Sequence, residues 1–280
     1  MTPYFIAEIG NNHNGSLDRC LRIVDAAAEA GFSAAKLQLW RVDEQWRAGG
    51  IAEERRQELR KYEVPLAWLP VVSALCKSKG IELVLSVCHA RLVRIAAKYA
   101  DRLKAGSYEL LHLSLMEAMA ATGLPLLISA GAGASVDEIH AADEATGYRA
   151  TFLHCVSRYP ALAEDANLCG IGALEGLAGR PAGYSDHTVE PAVIHRAVHK
   201  WGAGVVEMHL DIDTFGPDVA IIGAERSVSW SDSGCVQSPR YVIDDITTAL
   251  TADTTPTPAD IDERNWRVDP ADGMRPRREG

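Results

Sequence analysis

The chain lacks any excess of positive charge. It carries 28 Lys and Arg against 38 Asp and Glu, a formal net charge of -10. That speaks against a nucleic-acid partner or an anionic membrane surface, because either would reward a basic face. An anionic small substrate remains compatible, but it requires a local basic pocket inside an acidic whole. No apolar run reaches the roughly 20 residues of a transmembrane helix. The opening Met1-Thr-Pro-Tyr-Phe-Ile-Ala-Glu8 has no basic n-region and meets a carboxylate too early for a signal peptide. The expected location is the cytoplasm. The six cysteines (Cys20, Cys76, Cys88, Cys155, Cys169 and Cys235) show no CxxC spacing and sit in apolar contexts. They read as reduced, buried thiols and not as a disulfide framework.

What is present is enough apolar material for one large core. With 280 residues, 47% hydrophobic and 24% charged, the chain fits one barrel-sized domain. Short apolar strands are expected over 4–9, 34–39, 81–87, 102–107, 125–129, 151–156, 183–187 and 205–209. Helical segments alternate with them over 16–30, 66–79, 90–99, 110–121, 135–145, 167–177, 192–201 and 241–250. Ser16 is placed to cap the first helix and Gly31 to end it, while Ser135 and Glu138 have capping-box spacing. The polar stretch 40–63 is long for a connection and reads as a functional loop with some helix. Strands apolar throughout suit a parallel sheet buried on both faces. Eight such β/α units predict an α/β fold, a (β/α)8 TIM barrel spanning 1–250. The first strand lacks the Gly-rich fingerprint of a dinucleotide-binding open sheet. From Thr251 the composition becomes that of a linker and polar tail, 251–280, with Trp266 and Met274 as expected anchors.

In such barrels chemistry sits at the C-terminal ends of the strands. The polar residues at those positions are Glu8; Lys36 and Gln38; Ser86; Lys104, Ser107 and Glu109; Ser157 and Tyr159; Ser185, Asp186 and His187; and Glu207 and His209. Asp218, in Gly216-Pro-Asp218, reads most simply as a turn residue and is kept as a candidate substrate contact. Two lysines inside barrel strands each need a carboxylate or a bound anion, because an unpaired buried ammonium is costly. Glu8, Glu109 and Glu207 are the available carboxylates. Gly183-Tyr-Ser-Asp-His187 and Val205-Val-Glu-Met-His209 each end in a histidine, on strands expected to be neighbours. Two such imidazoles suit a divalent metal such as Mn, Zn, Fe or Co, or else two hydrogen-bonded core histidines.

Six segments occur in order: Phe5-Ile-Ala-Glu-Ile-Gly-Asn-Asn-His-Asn-Gly15, Ala35-Lys-Leu-Gln38, Leu103-Lys-Ala-Gly-Ser107, Leu153-His-Cys-Val-Ser-Arg-Tyr-Pro160, Gly183-Tyr-Ser-Asp-His-Thr188 and Glu207-Met-His209. Together they resemble the sialic acid synthase family over roughly residues 4–220. The resemblance implies a TIM barrel that condenses phosphoenolpyruvate with the aldehyde of an N-acylated hexose, resembling N-acetylmannosamine. The product is a nonulosonic acid, with release of phosphate. It implies a divalent metal, Mn or Mg, on His187 and His209, and phosphoenolpyruvate on Lys36 and Lys104. Ser107, Tyr159 and Ser185 would lie around them, and Glu8 and Glu207 match the family's strand-one and strand-eight glutamates. A homodimer is also implied. Family members usually carry a C-terminal antifreeze-like domain that supplies an arginine to the sugar. This sequence ends at Gly280, so the expectation is the barrel alone, with Arg267, Arg275, Arg277 and Arg278 as candidates to fold back over the site. Two competing readings are a Schiff-base aldolase using Lys36 or Lys104 on pyruvate, and a non-catalytic or split-enzyme barrel subunit.

Overall fold

The computed structural model describes residues 3–188, 190–212 and 258–275. Eight strands run Tyr4–Glu8 (β1), Ala34–Leu39 (β2), Glu82–Val87 (β3), Arg102–Ala105 (β4), Leu126–Ser129 (β5), Thr151–Cys155 (β6), Gly183–Asp186 (β7) and Val205–His209 (β8). All neighbours pair in parallel, and β1 closes the barrel on β8 from Tyr4↔Val205 to Glu8↔His209. The expected TIM barrel is therefore the observed one.

Alternation along each strand explains the architecture. Outward residues such as Phe5, Ala7, Leu37, Leu85, Leu103, Ile128 and Phe152 join the core between sheet and helices. Inward residues stack in layers. Ile6, Ala34, Val84, Leu127 and Leu153 form an apolar plug, with Tyr4 and Val205 packed against it. At the N-terminal end Arg102 donates to Glu82 at 2.6 Å, and its guanidinium lies 4.4 Å from the Tyr4 ring centroid. The plug seals the barrel from below, so polar inward residues one step further along each strand face a single open mouth. Only glycine fits at 183: a Cβ there would meet the Val205 carbonyl oxygen and Leu153 Cδ2 at 2.5 Å.

Helix Leu17–Glu29 is capped by Ser16, whose side chain accepts from Arg19 N at 3.3 Å, and it buries Cys20, Ile23, Val24 and Ala27 on one face. The Ser135/Glu138 capping box forms. Several element boundaries shift by one to three residues from the sequence expectation. Expected helix 66–79 opens as a 3-10 turn, Leu66–Trp68, before the α-helix Leu69–Lys79. Pro70 lies in that helix's first turn, where a missing N–H is tolerated. Expected strand 102–107 ends at Ala105, and Ser107–Glu109 turns as a 3-10 helix, with the Ser107 hydroxyl accepting from the Gly131 N–H at 3.0 Å. The stretch 40–63 contains the helices Val42–Gln45 and Glu53–Arg60. The expected helix 241–250, Cys235, Asp218, Arg277 and Arg278 lie outside the described residues. Cys20, Cys76, Cys88, Cys155 and Cys169 are buried and unbridged. Among the described residues no helix is long and apolar enough to cross a membrane.

The tail returns to the barrel mouth. Helix Pro258–Glu263 and the segment to Arg275 are tied down by Val268 N donating to the Tyr108 carbonyl at 3.0 Å, and by Arg47 donating to Asp269 at 2.7 Å and to Asp272 at 2.6 Å. Val268, fully buried, is the apolar anchor; Trp266, one expected anchor, is half-exposed instead. Gly273 (φ +71°) lies so close to His112 that a Cβ would meet its ring at 2.3 Å. Arg264 and Arg267 both donate to Glu138 at 3.0 Å. Burial alone would raise Glu138, but the Ser135 N–H and the two guanidinium groups hold it below its ordinary 4.5. A depressed carboxylate contributes fully above its ordinary value, and that contribution is lost as pH falls through the lower folded value. Acidification below pH 4.5 should therefore loosen the tail. Limited proteolysis within residues 258–275 should accelerate there, and Glu138→Gln should remove much of that pH dependence. An equal pH response in both proteins would contradict the assignment.

Candidate active site

The inward layer above the apolar plug is polar, and it is where most of the sequence candidates converge. A cavity of about 470 Å³ at the barrel mouth is lined by Glu8, Lys36, Gln38, Ser86, Lys104, Ser107, Glu109, Ser157, Tyr159, Ser185, His187, Glu207 and His209. Of the candidates within the described segments, Asp186 and Arg267 alone do not line this space. The reason is the strand period of two. Glu8 follows Ile6, Lys36 follows Ala34, Ser86 follows Val84, and Glu207 follows Val205 on the inner face. The same rule carries Asp186 to the outer face, where it accepts from Tyr184 Oη at 3.0 Å and from Thr188 Oγ1 at 2.8 Å. Burial raises its carboxyl to about 7.

Lys36, Lys104, Glu8 and Glu207 form one buried ionic network on the cavity floor. Lys36 pairs with Glu8 and lies 3.1 Å from Glu207 Oε2, while Lys104 pairs with Glu207 Oε1. Ser185 Oγ donates to that same Oε1 at 3.0 Å. Burial acts upward on Glu207, but Lys104 and Lys36 outweigh it and hold it well below the carboxylate range. Burial pulls Lys36 below the ordinary lysine range, against the pull of Glu207 and with the push of Lys104. Two ammonium groups thus stand at the floor, balanced one for one by Glu8 and Glu207, so the floor offers charged donors without a net positive charge of its own. Glu109 takes another partner: Arg275 of the tail, at 2.5 Å.

Ends of β4, β5 and β6 add a hydroxyl-rich wall. Ser107 Oγ accepts from Gly131 N and touches Cys155 Sγ at 3.0 Å. A Cβ on Gly131 would meet Cys155 Sγ at 2.5 Å, Ser157 Oγ at 2.7 Å and Ser107 Oγ at 2.8 Å, so glycine is what lets this loop approach. Ser129 Oγ is buried with no hydrogen-bond partner in the described structure. Ser129 and Cys155 were not among the sequence candidates. The alternation that selects Ser86 would have found them, two residues beyond inward Leu127 and Leu153. Trp46, Tyr108 and Trp266 also line the cavity, and no strand-end pattern marks them, because they come from loops and the tail.

His187 and His209 meet with ring centroids 5.7 Å apart, and Tyr159 stacks on His187 at 4.0 Å. The His187 Nδ1 bonds the Val156 carbonyl at 2.6 Å, which orients the ring and leaves Nε2 as its other donor atom. Burial, then the neighbouring His209, pull His187 down to about 3, so the imidazole is neutral, the form that ligates a metal. No group of three His, Cys, Asp or Glu side chains among the described residues is arranged to hold an ion. The pair therefore fits a divalent cation only in an open site, with water or substrate oxygens completing the coordination.

The tail expectation divides. Arg275 lines the cavity, whereas Arg267 is fully buried against Glu138 and does not line it. Asp260 anchors the tail helix by accepting from Ser157 N at 3.3 Å.

Comparison with known proteins gives a consistent set. The NeuB family model matches residues 23–227. The spore coat polysaccharide biosynthesis protein SpsE of Bacillus subtilis is 32% identical over 226 residues, covering 75% of this chain and 60% of that protein. The N,N'-diacetyllegionaminic acid synthase of Legionella pneumophila is 32% identical over 243 residues, covering 78% and 67% respectively. Among solved structures, an N-acetylneuraminic acid (sialic acid) synthetase from Leptospira borgpetersenii matches with a TM-score of 0.70 at 30% identity. That match covers 76% of this chain and 74% of the other. The chain thus spans only 60% of the length of SpsE.

Proposed function

The chain belongs to the NeuB family, and from that premise we propose that it condenses phosphoenolpyruvate with the open-chain aldehyde of an N-acylated amino hexose. The product would be a nonulosonic acid, with phosphate released. The observation that carries this reading is the convergence of Lys36, Lys104, the serine wall and the His187/His209 pair on one cavity.

The two lysines, whose charge their partner glutamates balance now, would offset the carboxylate and phosphate charge of the enol substrate. Ser107, Ser157 and Ser185 supply neutral donors beside them. His187 and His209 would hold a divalent cation, Mn or Mg, whose chemistry there is polarisation of the aldehyde oxygen. The enol carbon then bonds the aldehyde carbon. Water adds at the former enol C2, and phosphate departs from the resulting tetrahedral centre. Glu8 or Glu207, each already hydrogen-bonded to a lysine, is in place to take the proton of that water. Because phosphoenolpyruvate is a cytoplasmic metabolite, the cytoplasm is the proposed location.

Phosphate release from phosphoenolpyruvate with Mn2+, across a panel of N-acyl hexoses and their 6-phosphates, tests the reading. Release with one sugar, abolished by a chelator and restored by Mn2+, is the expected result. No release with any of them would remove the condensation reading. The aldolase reading keeps one supporting observation, since a lysine pulled down by burial is what imine formation needs. Borohydride in the presence of pyruvate should trap no adduct if condensation is the activity.

A further inference from the structure

We propose that Asp186, turned away from the cavity, is the positioning residue for His187: it ties the backbone on the two sides of that histidine together and so fixes the imidazole at the cavity wall, where it would ligate a cation. The inference rests on the reading of His187 as a metal ligand and names what holds that ligand in place.

Three observations carry it. The first is where the sheet stops. Strand β7 ends at Asp186, whose register partner is Met208, so His187 lies one residue beyond the sheet and no strand pairing fixes its torsions. The second is what takes over from the sheet. Asp186 Oδ1 accepts from Thr188 N at 3.1 Å and from Thr188 Oγ1 at 2.8 Å, and Tyr184 Oη donates to the same oxygen at 3.0 Å. The carboxyl thereby joins the residue before His187 to the residue after it. Thr188 Oγ1 also accepts from Glu190 N at 3.3 Å, which carries the tie to the start of helix Pro191–His199. From the neighbouring loop, Ala161 N donates to the His187 carbonyl at 2.8 Å. With its backbone held this way, the ring bonds the Val156 carbonyl through Nδ1 at 2.6 Å and stacks on Tyr159.

The third observation is that packing gives no reason for an acid here. Asp186 and Thr188 are buried, and Tyr184 belongs to the apolar layer between sheet and helices. Asp186 Oδ2 is buried with no hydrogen-bond partner among the described residues. A buried carboxyl with one oxygen unsatisfied costs stability that an apolar residue on this outer face would not. Groups behind a metal-binding imidazole commonly orient it through the ring. Here the Val156 carbonyl has that place, and Asp186 acts one step further back, on the backbone that carries the ring.

Mn2+ binding to the full chain, read by electron paramagnetic resonance of the free ion, tests the proposal without turnover. Asp186→Ala should weaken binding about 10- to 100-fold, the range for losing a group behind a ligand. Asp186→Asn keeps an oxygen that can accept where Oδ1 does, and it should stay within about threefold of wild type. Thr188→Val conserves shape and removes one of the two Thr188 donors. It should lose about tenfold, and it decides the matter if Asp186→Ala does not fold. Unchanged affinity in Asp186→Ala or in Thr188→Val, or an equal loss in Asp186→Asn and Asp186→Ala, overturns the proposal and leaves the metal reading standing. If wild type binds no Mn2+, the metal reading falls, and the pose of the ring decides the inference. Magnetic resonance of metal-free protein labelled at the histidine ring nitrogens should show a hydrogen-bonded Nδ1–H for His187, assigned by its absence from His187→Ala. The internal control is His154, whose Nε2 bonds the Ala166 carbonyl at 2.9 Å. Loss of the His187 signal in Asp186→Ala, with the His154 signal kept, sustains the proposal. A persistent His187 signal, its absence from wild type, or loss of both signals together overturns it.

Discussion

Replacing Glu207 by Gln should destabilise the protein by about 3–5 kcal/mol, the range for removing one partner of a buried ion pair. Glu207 is the carboxylate that Lys104 pairs with, and it also lies 3.1 Å from Lys36 Nζ. The amide conserves shape but brings no charge, so Lys104 would sit in the barrel as a buried ammonium with only dipoles around it. Lys36 would fare better, because Glu8 remains. Urea unfolding at pH 7 reads the effect. A second variant makes the cause explicit. Lys104→Met combined with Glu207→Gln removes the orphaned charge and should be more stable than Glu207→Gln alone. If the double variant is less stable than either single one, the network is not the origin of the loss. Phosphoenolpyruvate should protect Glu207→Gln more than wild type, because its anionic groups replace the missing carboxylate. Turnover should fall at least about a hundredfold, the lower end for losing a proton-transfer group and the geometry it holds.

His187→Ala should weaken Mn2+ binding by at least about 100-fold, since even changes behind a ligand cost 10- to 100-fold. The argument begins with orientation. The Val156 carbonyl bonds Nδ1 at 2.6 Å and Tyr159 stacks at 4.0 Å, so the ring is held in one pose before any ion arrives. Burial together with His209 keeps it neutral to about pH 3, so no proton competes at physiological pH. Alanine removes one of only two imidazoles at the mouth. Electron paramagnetic resonance of free Mn2+ measures the loss without requiring turnover, and phosphate release should become metal-independent and negligible. Wild-type Mn2+ affinity in the variant would mean that the pair is a core histidine contact. His209→Ala should behave alike, because the two rings face one space.

The path from sequence to site was short wherever strand alternation governed it. Lys36, Glu8, Glu207, Ser86 and Ser185 lie one inward step beyond an apolar plug residue or beyond Gly183, and Lys104 one such step beyond Arg102; polarity at a strand end is enough to select them. Ser129 and Cys155 obey the same rule. They were missed because serine after an apolar run and cysteine within one both look like ordinary core residues. Glu109 was expected beside the lysines, yet its partner is Arg275, more than 160 positions away in the chain. Such a pairing has no local periodicity to betray it.

By itself the sequence determined the eight parallel strands, their order around the barrel, and the face on which the chemistry gathers. Those follow from local rules: a period of two along each strand, caps and glycines at helix ends, and right-handed β/α connections. Only the tertiary structure decided which carboxylate each lysine takes, that Asp186 turns outward while His187 faces inward, and that the tail brings Arg275 and Trp266 to the mouth. Those outcomes depend on distances between groups far apart in the chain. Burial makes each charge accept whichever partner the closed barrel places within reach.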